Sequence, residues 1–179
     1  MQTIGILGAS GFIGSRAVEM MHLGGLVNVR PIVRNPGSLA GLSRFDLDCR
    51  LSDYRDQSSL EVAIAGCDVV LSLIAGDSRA ILDTVAPVYV AACAAQVTRL
   101  VFMSSASVHG QSPAPGTNEE SPLTSVQPLA YNRAKVIAER RLFRLRDRGS
   151  TELVVLRPSI VLGPRSRWVV DLANQLLAG

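Results

Sequence analysis

Seven residues near the N-terminus restrict the fold more than any other feature of the chain. Gly8-Ala9-Ser10-Gly11-Phe12-Ile13-Gly14 follows the apolar run Thr3–Leu7 directly. It also opens a helical pattern, Phe12–Leu23, in which Ile13, Ala17, Met20 and Met21 recur at helical spacing. Three glycines three residues apart, between a strand and a helix, suit a turn that binds phosphate. Gly8 permits the tight turn, Gly11 lets backbone approach a pyrophosphate, and Gly14 lets helix and strand lie close. The phosphate then meets free N–H groups at the helix N-terminus. With Ser10, Phe12 and Ile13 these glycines form the expected cofactor-binding turn. The spacing is GxxGxxG, which differs from the GxGxxG of the ordinary dinucleotide fingerprint.

The rest of the chain alternates in the same way. Val27–Val33 reads as a second strand, in which Pro31 demands an edge position or a bulge. Arg44–Cys49 is the expected third strand, Ser58–Ala65 a short helix closed by Gly66, and Asp68–Ile74 a strand without alternation. Arg79–Ala95 is a helix that Pro87 should kink. Thr98–Met103 is a strand, and Ser104–Gln127, rich in Ser, Pro and Gly, is a long loop. Helix Leu129–Arg148, strand Thr151–Leu156 and helix Val169–Leu177 complete the order. Strands that are apolar throughout and alternate with helices imply a parallel sheet covered on both faces. Right-handed crossovers then give a doubly wound α/β domain of about six strands. One such domain, 1–179, fills the chain.

Composition excludes several alternatives. Apolar residues are 47% and charged residues 18%, which argues against disorder. A net charge of +3 is too small to indicate nucleic acid. The Arg residues of Leu129–Arg148 read as a solvated face. Cys49, Cys67 and Cys93 fit neither a disulfide framework nor a zinc spacing, so no metal is expected and a reducing compartment is. Met1–Leu7 has no basic region of a signal peptide. The longest apolar run, Val69–Ala75 broken by Ser72, is far short of the ~20 residues that span a bilayer. The expectation is a cytoplasmic chain with no membrane partner.

Arg34 ends the second strand, 20 residues beyond Gly14, where an NAD site usually places Asp or Glu for the ribose hydroxyls. A guanidinium there suits a 2′-phosphate, so NADP(H) is favoured over NAD(H). Arg30, four residues back, points elsewhere. Tyr131 and Lys135 are four apart on one helix and share a face. Lys135 is the single lysine of the chain, beside 17 arginines. An ammonium can approach a phenol and a ribose together, and a nearby cation favours phenolate. Ser105 follows the strand Thr98–Met103, at the sheet end where ligands collect, and could donate to the substrate oxygen that Tyr131 serves.

These features together resemble the short-chain dehydrogenase/reductase superfamily, specifically its extended branch of NAD(P)-dependent epimerases, dehydratases and reductases. The segments that carry the resemblance are Gly8–Gly14, Ala65–Val70, Ser104–Gly110, Tyr131–Lys135 and Leu156–Pro164, in family order over nearly the whole chain. The resemblance implies a Rossmann-like fold, with Tyr131 as catalytic acid/base and Lys135 lowering its pKa and holding the nicotinamide ribose. It implies Ser105, rather than the competing Ser104, as the hydroxyl that orients substrate. Pro158 and Ile160 should pack near nicotinamide, and Ala75 and Gly76 should line the cofactor. His109 stands where the family often has Tyr, and faces substrate or packs as an ordinary histidine. The helix after Gly76 lacks the Asn that many relatives carry. The acidic pair that cradles adenine is either Asp46-Leu47 or Arg50-Leu51 with Asp53. Relatives continue into a variable substrate lobe, which a chain stopping at Gly179 largely lacks. Arg165, Arg167 and Trp168 border substrate in related enzymes, and could meet a phosphorylated substrate or the missing lobe.

The expected function is hydride exchange between nicotinamide and a hydroxyl or carbonyl carbon of a small molecule, with a nucleotide-linked sugar as one candidate. A homodimer is the expected assembly. The alternative is a non-catalytic NADP(H)-binding sensor or partner-binding module.

Overall fold

The computed structural model describes residues 1–163 and 166–178, without the side chain of residue 167. Pro164, Arg165, Gly179 and the Arg167 side chain, named above, lie outside the described residues. Six strands form one parallel sheet: β1 (Thr3–Leu7), β2 (Asn28–Val33), β3 (Arg50–Leu51), β4 (Val69–Ser72), β5 (Arg99–Met103) and β6 (Glu152–Leu156). Their order is β3-β2-β1-β4-β5-β6. The helices are α1 (Phe12–Gly24), α2 (Gln57–Ile64), α3 (Ser78–Ala94), α4 (Ala130–Arg146) and α5 (Arg167–Leu177). The chain moves outward from β1 to β3, returns to β4, and moves outward again to β6. Strand order therefore reverses beside β1, where Ile4 pairs with Val29 on one side and Val69 on the other. Open α/β sheets bind ligands at such a switch point, beyond the carboxyl ends of the strands.

Burial on both faces explains why the strands lack alternation. Leu7, Ile32, Val70 and Leu100 enter one core cluster with residues of α2, α3 and α4. Their neighbours Ile6 and Val29 enter a second cluster with Val18 of α1. Among the described residues no helix is long and apolar enough to cross a membrane.

Four local readings change. The third strand is Arg50–Leu51, not Arg44–Cys49. Cys49 N–H turns back to the Leu47 carbonyl at 2.8 Å, so only the next two residues extend beside Ile32 and Val33. A 3-10 turn at Pro36–Leu42, capped by Asn35, replaces a helix in that crossover. Pro31 is tolerated inside β2 because β3 pairs only with Ile32 and Val33, leaving the flank at Pro31 open. Ser104–Gln127 is not loop throughout, since Ala106–His109 forms a 3-10 turn. The arginines of α4 also fasten that segment: Arg133 bonds the Gln127 carbonyl, and Arg140 bonds Ser125 Oγ. Pro87 lies inside α3, which continues from Ser78 to Ala94. α5 leaves Trp168, Val169, Val170, Leu172, Leu176 and Leu177 exposed.

Candidate active site

Two cavities open at the carboxyl end of the sheet. The first, about 430 Å³, is lined by Gly8, Ser10, Gly11, Phe12, Ile13, Gly14, Arg34 and Ala75, together with Ser38, Asp53, Tyr54, Arg55 and Thr84. The glycines differ in what they do. Gly8 has φ +78°, and a Cβ there would meet the Leu73 carbonyl oxygen at 2.9 Å. A Cβ on Gly14 would run into the Gly8 carbonyl oxygen. Gly11 caps α1 without a side-chain bond, and its added Cβ would meet only the Gly8 oxygen, at 3.2 Å. Gly8 and Gly14 thus serve backbone packing, whereas a Cβ on Gly11 would meet no other atom than the Gly8 oxygen. No acid occupies the first turn of α1, which suits an anion at its positive end.

Tyr54 completes this floor. Its buried hydroxyl accepts from Gly8 N–H at 3.0 Å and donates to the Ile32 carbonyl at 2.6 Å, bridging β1 and β2 where they diverge. Burial pushes the Tyr54 phenol up. Of the residues offered for cradling adenine, Asp53 lines this cavity, whereas Asp46 and Leu47 line a separate depression with His22 and Arg30. Arg30 pairs with Asp48 at 2.9 Å and donates to the Ala65 carbonyl, away from Arg34.

The second cavity, about 660 Å³, brings together Ser105, Tyr131 and Ile160, with Ser107, Asn132 and Trp168. Phe12, of the first cavity, lies against Gly163, where an added Cβ would meet its ring at 3.6 Å. Pro158 is fixed by its carbonyl, which accepts from Ala106 N–H at 2.9 Å, and lines neither cavity. Ser105 caps the 3-10 turn: its Oγ accepts from Ser107 N–H at 3.2 Å and lies 2.8 Å from Ser107 Oγ. Ser107 Oγ donates to Asn132 Oδ1 at 3.0 Å. Gln127 donates to the Ser107 carbonyl at 2.8 Å. Ser104 is buried and donates to Glu139, so it does not compete for the cavity.

Lys135 lies beneath the cavity rather than in it, 1% exposed. Its Nζ donates to the Met103 carbonyl at 2.6 Å and sits 4.9 Å from the Phe102 ring centroid and 5.7 Å from that of Tyr131. Burial pushes its ammonium down to about 8, and Glu139 pulls the other way. Tyr131 is 37% exposed, and burial pushes its phenol up. That direction is opposite to the lowering expected from the lysine, whose Nζ donates to the Met103 carbonyl. His109 neither lines the cavity nor is solvated alone. Its Nε2 lies 3.2 Å from Arg157 Nη1, and its Nδ1 lies 3.4 Å from the Pro122 carbonyl.

The family model described as NAD(P)H-binding matches residues 8–167. The chain is 27% identical over 194 residues to N-acetyl-alpha-D-glucosaminyl-diphospho-ditrans,octacis-undecaprenol 4-epimerase of Escherichia coli O157:H7, covering 97% of this chain and 54% of that one. It is 30% identical over 164 residues to UDP-glucose 4-epimerase 1 of Oryza sativa subsp. japonica, covering 78% and 45%. Among solved structures, a short-chain dehydrogenase/reductase superfamily protein from Agrobacterium tumefaciens with bound NAD superposes with a TM-score of 0.71. It is 28% identical, and 87% of this chain covers 48% of that one. The chain spans about half the length of the curated relatives it matches. Since the matched stretch starts at the first glycine of the turn and takes in every strand after β1, this chain belongs to the NAD(P)H-binding family.

Proposed function

We propose that the chain supplies the nucleotide-binding part of an NADP(H)-dependent oxidoreductase or epimerase acting at a carbon that bears a hydroxyl or carbonyl. The observation that carries this reading is the cavity shared by Ser105 and Tyr131, with Lys135 Nζ 5.7 Å from the Tyr131 ring, at the same end of the sheet as the glycine-turn cavity. Gly8, Gly11 and Gly14 would hold the pyrophosphate, and Ala75 would line the same cavity. Ile160 would flank the nicotinamide from the second cavity, with Pro158 placing that segment. Arg34, with Ser38 beside it, would meet a 2′-phosphate, which favours NADP(H). When bound, the cofactor supplies a hydride donor or acceptor.

The chain's own residues do the rest. Ser105 orients the substrate oxygen, and Tyr131 moves the proton on that oxygen. Lys135 stabilises the phenolate once its ammonium turns from the Met103 carbonyl. A nucleotide-linked sugar is the favoured substrate class, on the likeness to two sugar-nucleotide or sugar-lipid epimerases. A non-catalytic binding module is the second reading, favoured by the raised Tyr131 phenol and the engaged Lys135.

The decisive experiment is Tyr131→Phe in the full-length protein, with turnover followed by NADPH absorbance across carbonyl and nucleotide-sugar substrates. Cofactor affinity should hold while kcat falls ~10²–10⁴-fold, the usual size of general acid/base catalysis. Unchanged turnover would return the site to the binding-module reading.

A further inference from the structure

Glu139 is the one buried acid on the inner face of α4 whose neighbours are both cations and catalytic candidates. It is 0% exposed and stands one helical turn beyond Lys135. Arg157, from the segment after β6, grips its carboxylate from two directions, with Nη2 at 2.7 Å from Oε2 and Nε at 3.1 Å from Oε1. Ser104, at the end of β5, donates to the same carboxylate. Arg157 continues outward to the Glu119 carbonyl at 2.7 Å and to His109 Nε2 at 3.2 Å. A buried charge pair held this tightly draws the ends of β5 and β6, α4 and the 104–127 segment to one point.

We infer that Glu139, clamped by Arg157 and Ser104, is a positioning residue for Lys135: it keeps the buried lysine cationic and so keeps its Nζ available to the Met103 carbonyl and the Tyr131 ring. This rests on the reading that Lys135 serves Tyr131. Without an acid nearby, an ammonium so buried would lose its proton readily. The groups facing Lys135 are few. From α4 they are Tyr131 and Glu139, and from β5 the Met103 carbonyl and the Phe102 ring. Beyond Glu139 stand Arg157 and, past it, His109. From α3, packed along α4, the buried titratable group is Tyr89, whose hydroxyl donates to the Thr151 carbonyl at 2.8 Å. Glu139 is therefore the only carboxylate among these groups.

The single lysine makes the test direct. Lysine labelled with ¹³C at Cε gives one side-chain resonance, and its pH titration reads Lys135 without any assay of activity. Glu139→Gln should move the midpoint downward by on the order of half a pH unit or more. Because Glu139→Gln leaves Arg157 buried without its partner, the double variant Glu139→Gln/Arg157→Gln is titrated beside it. Removing both charges leaves no orphan, and since the loss of the Arg157 cation favours the ammonium, the midpoint should fall by less than in the single variant. Reinstating the acid as Glu139→Asp should recover part of the shift. A midpoint equal to the parent's in either folded variant overturns the inference. A shifted midpoint in a parent protein that shows no cofactor-dependent turnover would overturn the proposed function and leave the coupling standing.

Discussion

Gly11 and Gly14 lie three residues apart in one turn, yet the structure assigns them separable tasks, and two substitutions pull these apart. Gly14 is the third residue of α1. A methyl group there would strike the Gly8 carbonyl oxygen and come within 2.9 Å of the Ala9 Cα. Both are backbone atoms, so no side-chain rotation relieves the clash. Exchanging Gly for Ala inside a helix gains about 1 kcal/mol. Overpacking costs typically ~1–3 kcal/mol, occasionally more, and the backbone contacts place Gly14→Ala at the upper end. The net loss is about 2 kcal/mol, or roughly 4–8 °C in Tm for a domain of this size. At Gly11 a Cβ would meet only the Gly8 oxygen, at 3.2 Å, and the φ of −70° is open to any residue. The Tm of Gly11→Val should stay within about 2 °C of the parent, by the usual size of an N-cap exchange. Its NADPH affinity should fall at least about tenfold, because the branched side chain occupies the pyrophosphate space. Far-UV circular dichroism melts and calorimetric titration with NADPH read the two effects. Parental melting of Gly14→Ala, or parental affinity of Gly11→Val, would refute the division of labour.

Three other outcomes follow from the same geometry. Arg34→Asp should reverse the cofactor preference by repelling a 2′-phosphate and accepting from ribose hydroxyls; a parent protein that binds NADH at least as tightly as NADPH would end the assignment. Tyr54→Phe strips Gly8 N–H and the Ile32 carbonyl of their shared partner, and urea unfolding should show a loss of about 2 kcal/mol, at constant m-value. Lys135 carries a pKa of about 8 in the fold against 10.5 unfolded, so between those values the unfolded chain holds more protons and stability rises with pH. The burial cost is fully present below pH 8 and gone above 10.5. Lys135→Met should therefore gain on the parent at pH 7 and lose that advantage, about 3 kcal/mol in all, by pH 10.5. A pH-independent difference between the two urea curves would contradict this.

What could be read without coordinates was whatever local geometry demands of a residue type. The glycine turn is such a case, because a Cβ at Gly8 or Gly14 collides within a few residues of itself. That Tyr131 and Lys135 share one helix face also follows from helical spacing. The short third strand could not be read, since two paired residues have no pattern of their own, and the apolar residues before them fall in a 3-10 turn. Tyr54 gave no signal either: it meets Gly8 across 46 residues, and a lone tyrosine looks like ordinary core. The Glu139–Arg157 pair has no signature in the sequence, being 18 residues apart until the ends of β5 and β6 bring the two together. The lysine stands out by its rarity, but its bond to a backbone carbonyl belongs to tertiary structure and cannot be found in spacing.

The reversal of strand order beside β1 also fixes the order in which the molecule can be assembled. β2 reaches β1 by a short crossover through α1. β4 must close a loop in which Thr3 meets Asp68, 65 residues away. Closure entropy grows slowly with length, but a parallel pairing of such separation forms late compared with local contacts. Leu73, Ile74 and Ala75, which follow β4, are walls of the first cavity. The nucleotide cleft therefore does not exist until β4 has docked beside β1. Nascent chains should gain cofactor affinity in one step, when β4 docks, and cofactor present at that moment would trap the completed sheet against reopening.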